Sequence, residues 1–272
     1  MEMATSFMYP PPPSTLLNTM SVVGLVGLAV TVWSEVRGNN LKYSKFNNGS
    51  SQKQRFGGSI SSRTGMLCLY TPAFLAASAS FLLAPSQDLR FLLLESALSL
   101  HFFKRIFEVL FVHKYSGGMA LDAVFPISSG YFSSTALVLY SQTFTLGLPE
   151  PALDLKFYGI LMFVVGIVGN LYHHVLLAKL RKGGEGEGEA GGKKEYKIPT
   201  GGLFETVICP HYMFEILVFL GFFMISQTIY SLSLAVGTTF YLMGRSYATR
   251  RWYLSKFDDF PKHTKSLIPF VF

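Results

Sequence analysis

Six long apolar runs, Leu16–Trp33, Met66–Leu83, Phe91–Val112, Ala123–Leu146, Phe157–Leu180 and Met213–Met243, leave this chain few choices of fold. Each approaches or exceeds the roughly twenty residues that carry an α-helix across a ~30 Å hydrocarbon core. Inside such a core an unpaired N–H or C=O finds no water, and a helix satisfies its backbone within one segment. The last run is too long for one crossing and should break near Ser226–Gln227. The expected fold is all-α, a multi-pass transmembrane helix bundle of six to seven helices. It forms a single domain over residues 15–272, behind a flexible N-terminal tail, residues 1–14, that carries Pro10–Pro13 and lacks the basic start of a signal peptide.

Charge supports the same assignment. Charged residues are 14% of the chain, against about 25% in soluble proteins. The net charge of +7 is no sign of nucleic-acid binding, because Lys and Arg sit in the loops between apolar runs, as topology determinants do. The loop from Arg37 to Arg63 is basic with no acidic residue, which assigns it to the cytosol and starts the first helix in the lumen. Gly183–Gly192 is a Gly/Glu-rich stretch that should be dispensable. Cys68 and Cys209 make no disulfide framework, and Cys209 is expected to pack. The chain has neither a dinucleotide glycine fingerprint nor a P-loop, and Gly117–Gly118 and Gly201–Gly202 read as turns.

Polar residues within apolar helices are expensive and normally face an interior cavity. Asn170, His174 and Arg181, four and seven residues apart, share one helical face. His101, Lys104, Arg105 and Glu108 form a second stripe, with Glu108 expected to pair with Arg105 or Lys104. Arg245, Thr249 and Tyr253 recur every four residues in a basic, aromatic tail expected at the cytosolic surface. Arginines suit phosphates and tyrosine rings stack on bases, so these groups fit a pyrophosphate cofactor. They fit a patch for anionic lipids equally well. Pro72 should kink its helix and free a carbonyl that needs an internal partner.

Tyr196-Lys-Ile-Pro199, Gly201-Gly-Leu-Phe-Glu205, Cys209-Pro-His-Tyr212 and the closing Leu267-Ile-Pro-Phe-Val-Phe272 resemble the C-terminal half of the steroid 5α-reductase family. That family includes 3-oxo-5α-steroid 4-dehydrogenases, polyprenol reductases and trans-2-enoyl-CoA reductases. The resemblance is strong over 163–272, the cofactor half, and fainter over 63–116. It implies a multi-pass enzyme of the endoplasmic reticulum membrane that binds NADPH from the cytosolic side. It implies no metal and no nucleic acid, with membrane lipids and a lipid substrate as partners. The family's cofactor asparagine and arginine match Asn170 and Arg181, and those of its last helix match Arg245 and Tyr253. His174 stands where steroid reductases have aspartate, and His211 where the family has asparagine.

The family's chemistry is hydride addition to a C=C conjugated with a carbonyl, with an acid stabilising the enolate. Steroid reductases hold that carbonyl with a glutamate and a tyrosine, and the matching positions here are Tyr70 and Phe102. Phe102 cannot donate a proton. The catalytic candidates are therefore Tyr212, placed first as the nearer to cofactor, and Tyr70, with His101 and His211 behind them. A 3-oxo-4-ene steroid is the expected substrate. The stretch His101–Ser116 is more similar to the enoyl-CoA reductase version, which makes an acyl-CoA the alternative. A non-catalytic lipid-binding protein is the rival of another class.

Overall fold

The computed structural model describes residues 6–38, 58–83, 88–115, 117–182 and 196–272, without the side chains of residues 181 and 182. Gly183–Gly192, most of the basic loop after Arg37 and the Arg181 side chain lie outside the described residues. Seven helices follow in chain order among those described: α1 Thr15–Val36, α2 Ser62–Leu83, α3 Leu89–Phe107, α4 Leu121–Thr143, α5 Lys156–Lys182, α6 Pro210–Ser226 and α7 Ile229–Lys256. Three of them, α1, α2 and α5, are long and apolar enough to cross a membrane by length and composition alone. The Asp88 carboxylate caps α3 by accepting from Phe91 N at 2.8 Å. The expected break falls after Ser226, where Gln227 takes a left-handed φ of 51°.

One departure from pure helix is a short antiparallel ribbon that pairs β1, Ser59–Ser61, with β2, Gly118–Ala120. It ties the start of α2 to the start of α4. Pro72 lies inside α2, and the carbonyl it frees, that of Cys68, accepts from Ser128 Oγ on α4 at 2.7 Å. The internal partner that the proline requires is thus a hydroxyl of the neighbouring helix.

α5 and α6 meet backbone to backbone. A Cβ at Gly166 would lie 2.8 Å from both Phe214 O and Val218 N, and one at Gly221 would lie 2.9 Å from Gly159 O. Only glycine allows that approach, which in lipid supplies the van der Waals contact that drives helix association. α1 lies along α7, and α2 packs on α3 and α4. The main apolar core includes Leu17, Phe91, Leu94, Val138, Phe163 and Phe222.

Two expectations need correction. The tail is not loose from Ser6 onward. Tyr9 N donates to Gln227 O at 2.9 Å and Leu153 N to Ser6 O at 2.7 Å, while the Tyr9 hydroxyl donates to Glu150 at 3.0 Å. Gln227 in turn donates to the Phe7 carbonyl, and Asn18 Nδ2 donates to the Pro12 carbonyl at 3.3 Å. Nor is the segment after Arg245 a surface tail, since α7 continues to Lys256 and buries Arg245, Thr249 and Tyr253 on one face. Beyond it the Lys265–Ser266 backbone pairs with 206–209. Arg250 donates to the carbonyls of Thr264 and Lys262 at 2.6 and 2.7 Å, which fixes this last segment beside the start of α6.

Candidate functional site

Glu108 is the centre of the polar end of the bundle. Its side chain is fully buried, and three groups converge on its carboxylate: Lys104 Nζ at 2.9 Å, Arg105 Nη1 at 3.2 Å and His174 Nδ1 at 2.9 Å. A buried carboxylate is tolerated only when paired and hydrogen-bonded, and here two helices, α3 and α5, supply the partners. The backbone places it at the start of a π turn, Glu108–Val112, closed by His113 N donating to Glu108 O at 2.7 Å. Such wide turns recur at functional sites because they re-aim side chains. This one brings His113 back over the network, its ring 4.8 Å from that of His174 and its Nε2 4.0 Å from Glu108 Oε2.

Asn170 is joined to the same network. Lys104 Nζ donates to its Oδ1, and its Nδ2 donates to the His211 carbonyl at 2.8 Å. The two faces read separately from the sequence, one on α3 and one on α5, are therefore a single site that reaches the first turn of α6. His211 sits there with its ring 5.5 Å from His174 and 4.4 Å from Tyr212.

Tyr70 enters from α2. Arg105 Nη2 donates to its hydroxyl oxygen, and the guanidinium lies 4.7 Å from the centre of its ring. One guanidinium thus holds both the Tyr70 oxygen and the Glu108 carboxylate. Phe102 is buried beside them and stacks edge-on against Tyr131 at 5.8 Å, so it gives the site an apolar wall. Tyr212, by contrast, packs in the cluster of Ile208, Cys209, Ile216, Leu242 and Tyr253.

Behind Phe102, His101 Nε2 stands 3.6 Å from Glu215 Oε1 on α6. The imidazole is enclosed by the ring edges of Phe102, Phe219 and Phe222. Among the described residues, His101 Nδ1 and Glu215 Oε2 are buried without a hydrogen-bond partner. Unsatisfied polar atoms in an interior call for an explanation, and a ligand is one. In the sequence Lys104 and Arg105 read as a polar stripe and Glu215 as part of the polar C-terminal third, none with a role in the site, and His113 has none either. The i, i+3, i+4 spacing signalled the α3 residues, but a stripe on one helix does not name the helix it faces.

The remaining candidates divide. Arg181 occupies the last turn of α5. Arg245 Nη1 donates to Glu35 Oε1 of α1 at 2.6 Å with both side chains buried, so its partner is the first helix rather than Asn170 or His174. Tyr253 stacks on Phe257, ring centres 5.8 Å apart. Atoms of Glu108, His113 and His174 come within 4.8 Å of one another, a spacing also found in cation sites. Lys104 and Arg105 already lie against that carboxylate, so a further cation would be repelled.

A family model described as 3-oxo-5-alpha-steroid 4-dehydrogenase matches residues 118–272. The very-long-chain enoyl-CoA reductase of Dictyostelium discoideum is 36% identical over 175 residues, 64% of this chain and 55% of that protein. The steroid 5-alpha-reductase of Gossypium hirsutum is 42% identical over 115 residues, 42% of each chain. The 3-oxo-5-alpha-steroid 4-dehydrogenase 1 of Macaca fascicularis is 37% identical over 111 residues, 41% of this chain and 39% of that protein. The chain spans about half the length of these relatives or less.

Proposed function

Because the chain belongs to the 3-oxo-5-alpha-steroid 4-dehydrogenase family, we propose that it reduces the C=C bond of an α,β-unsaturated carbonyl lipid with NADPH. The observation that carries this reading is the buried Tyr70, whose hydroxyl is held on the Arg105 guanidinium. NADPH, when bound, supplies the hydride that an electron-poor β-carbon accepts. Charge then develops on the carbonyl oxygen. Tyr70 donates a proton or hydrogen bond to that oxygen, and Arg105 keeps the tyrosine oxygen in place and offsets the charge. Such a preorganised donor in a dry site contributes about 10²–10⁴-fold. Phe102, Tyr131 and the aromatic rings around His101 exclude water.

The residues present fit the cofactor. His101 Nδ1 and Glu215 Oε2, buried without partners among the described residues, match the donors and the acceptor of a carboxamide such as that of nicotinamide. Asn170, His174, His211 and Tyr212 would line the same side. Arg181, Arg245 and Tyr253 are assigned to the rest of the dinucleotide, with Arg245 aimed by Glu35. The polar network gathers at the end of the bundle that carries Arg37, Arg63 and Lys179. That grouping supports a cytosolic entrance in an endoplasmic reticulum membrane.

For substrate we propose a 3-oxo-4-ene steroid. One observation favours an enoyl-CoA thioester as the second reading. A match over 64% of a 272-residue chain, as with the enoyl-CoA reductase, must include residues 101–116. The deciding assay is NADPH oxidation by the purified protein with a 4-en-3-one steroid and with a trans-2-enoyl-CoA. Saturated product from either supports the reductase reading and names the substrate class. Bound NADPH with neither substrate turned over would leave the non-catalytic lipid-binding protein.

A further inference from the structure

Reduction of an enone by NADPH consumes one proton from solvent per turnover, and the acid proposed here, Tyr70, is 3% exposed. After it gives its proton to the developing enolate it must regain one through the protein. The polar network grades from outside to inside. The His113 side chain is 21% exposed, His174 8%, and Glu108 0%. We infer that His113 is the residue through which this site takes up its proton, acting through Glu108. The inference rests on the reductase reading above.

Three features of the backbone and side chains carry it. The π turn is the reason His113 faces inward at all, because its N–H closes on the Glu108 carbonyl five residues back. Its Nε2 is 4.0 Å from Glu108 Oε2. Glu108 in turn shares the Arg105 guanidinium with the Tyr70 oxygen, so the proton-carrying carboxylate and the acid sit on adjacent nitrogens of one group. In the step proposed, protonated His113 loses its Nε2 proton to the Glu108 carboxylate. That proton passes to the Tyr70 phenolate, and His113 is recharged by a proton from water. No electron moves, and the charge of the network is restored after each cycle. Arg105 transfers nothing and only holds the two oxygens.

Charged and titratable groups from three elements surround His113. Glu108 faces its Nε2 at 4.0 Å, and Lys104 and Arg105 from α3 and His174 from α5 gather on that same carboxylate. Arg63 of α2 reaches the same turn through Leu110 O, and Lys114 and Tyr115 flank it in sequence. Imidazole is the side chain whose ordinary titration lies nearest neutrality, which suits a carrier that must both load and unload.

The test uses the full-length protein with His113→Gln and His113→Ala. Expected is a fall in kcat of about 10²-fold in both, with KM and NADPH affinity as in wild type. The remaining rate should rise with buffer concentration, and free imidazole should restore turnover in His113→Ala, where it has room to enter. Unchanged kcat, or a loss that neither buffer nor imidazole relieves while NADPH still binds, would overturn the inference. Wild-type protein that binds NADPH yet turns over neither substrate class would instead overturn the reductase reading, and this inference with it.

Discussion

A tyrosine hydroxyl on a guanidinium accepts from it, which fixes the oxygen and offsets charge developing beside it. That contact separates Tyr70, on Arg105, from Tyr212, which packs among apolar groups of α6 and α7. Tyr70→Phe is expected to lower kcat by about 10²–10⁴-fold with NADPH affinity retained, and Tyr212→Phe to lower it far less. Single-turnover kinetics of both variants check this, and the reverse order would make Tyr212 the acid. Arg245 poses a second residue-scale question. Removing it breaks a buried ion pair with Glu35, a loss of about 3–5 kcal/mol, so Arg245→Ala alone cannot report on the cofactor. The double variant Glu35→Gln/Arg245→Gln is expected to recover most of the melting temperature lost in Arg245→Ala. Its NADPH affinity then reads the arginine's contact with cofactor separately from its structural one.

At the scale of elements, the site exists because α5 and α6 touch. Gly166 lies one turn before Asn170, and no side chain fits between it and the backbone of Phe214 and Val218. A methyl group there must push the helices apart. Gly166→Ala is therefore expected to cost about 1–3 kcal/mol and to weaken the Asn170–His211 contact. Thermal unfolding in detergent measures the first effect and NADPH affinity the second, and wild-type values for both would show that α5 and α6 do not need this approach. Most of the element inventory was legible in the sequence. Lipid leaves the backbone one choice, so apolar length alone located the spans. Pro72 announced a homeless carbonyl, and the Ser226–Gln227 polar step announced the break. What was not legible is which faces meet. The stripe of His101, Lys104, Arg105 and Glu108 was visible as a stripe, but its partners on α5 and α6 lie more than sixty residues away. The π turn has no sequence signature at all, so His113 went unassigned.

At the scale of the whole molecule, the bundle is tied at both ends by buried charge, and the end opposite the site is the less obvious. Arg90, 1% exposed, sits at the start of α3 and joins it to the 150–154 turn and to the break between α6 and α7. It donates to the Ile225 carbonyl at 2.6 Å and to Gln227 Oε1 at 2.8 Å, and it pairs with Glu150 and, at 2.7 Å, with Asp154. Gln227 also donates to the Phe7 and Leu153 carbonyls. Burial alone would raise the Glu150 and Asp154 carboxyls. The hydrogen bonds and charge of Arg90 and Lys156 outweigh it and hold both below their ordinary values of 4.5 and 3.8. A carboxylate depressed in the folded state adds stability that is fully present above its ordinary titration and is lost as pH falls through the depressed one. The melting temperature should thus be insensitive to these groups at neutral pH and should drop once pH falls below about 4. Glu150→Gln/Asp154→Asn removes both titrations. That variant is expected to melt lower than wild type at pH 7, since the Arg90 charge loses its partners, and to lose less of its remaining stability on acidification. Melting curves from pH 7 to 3 in one detergent test this directly. An acid limb as steep in the variant as in wild type would mean that other carboxylates set the acid stability, and that the clamp orders residues 6–14 without governing the fold.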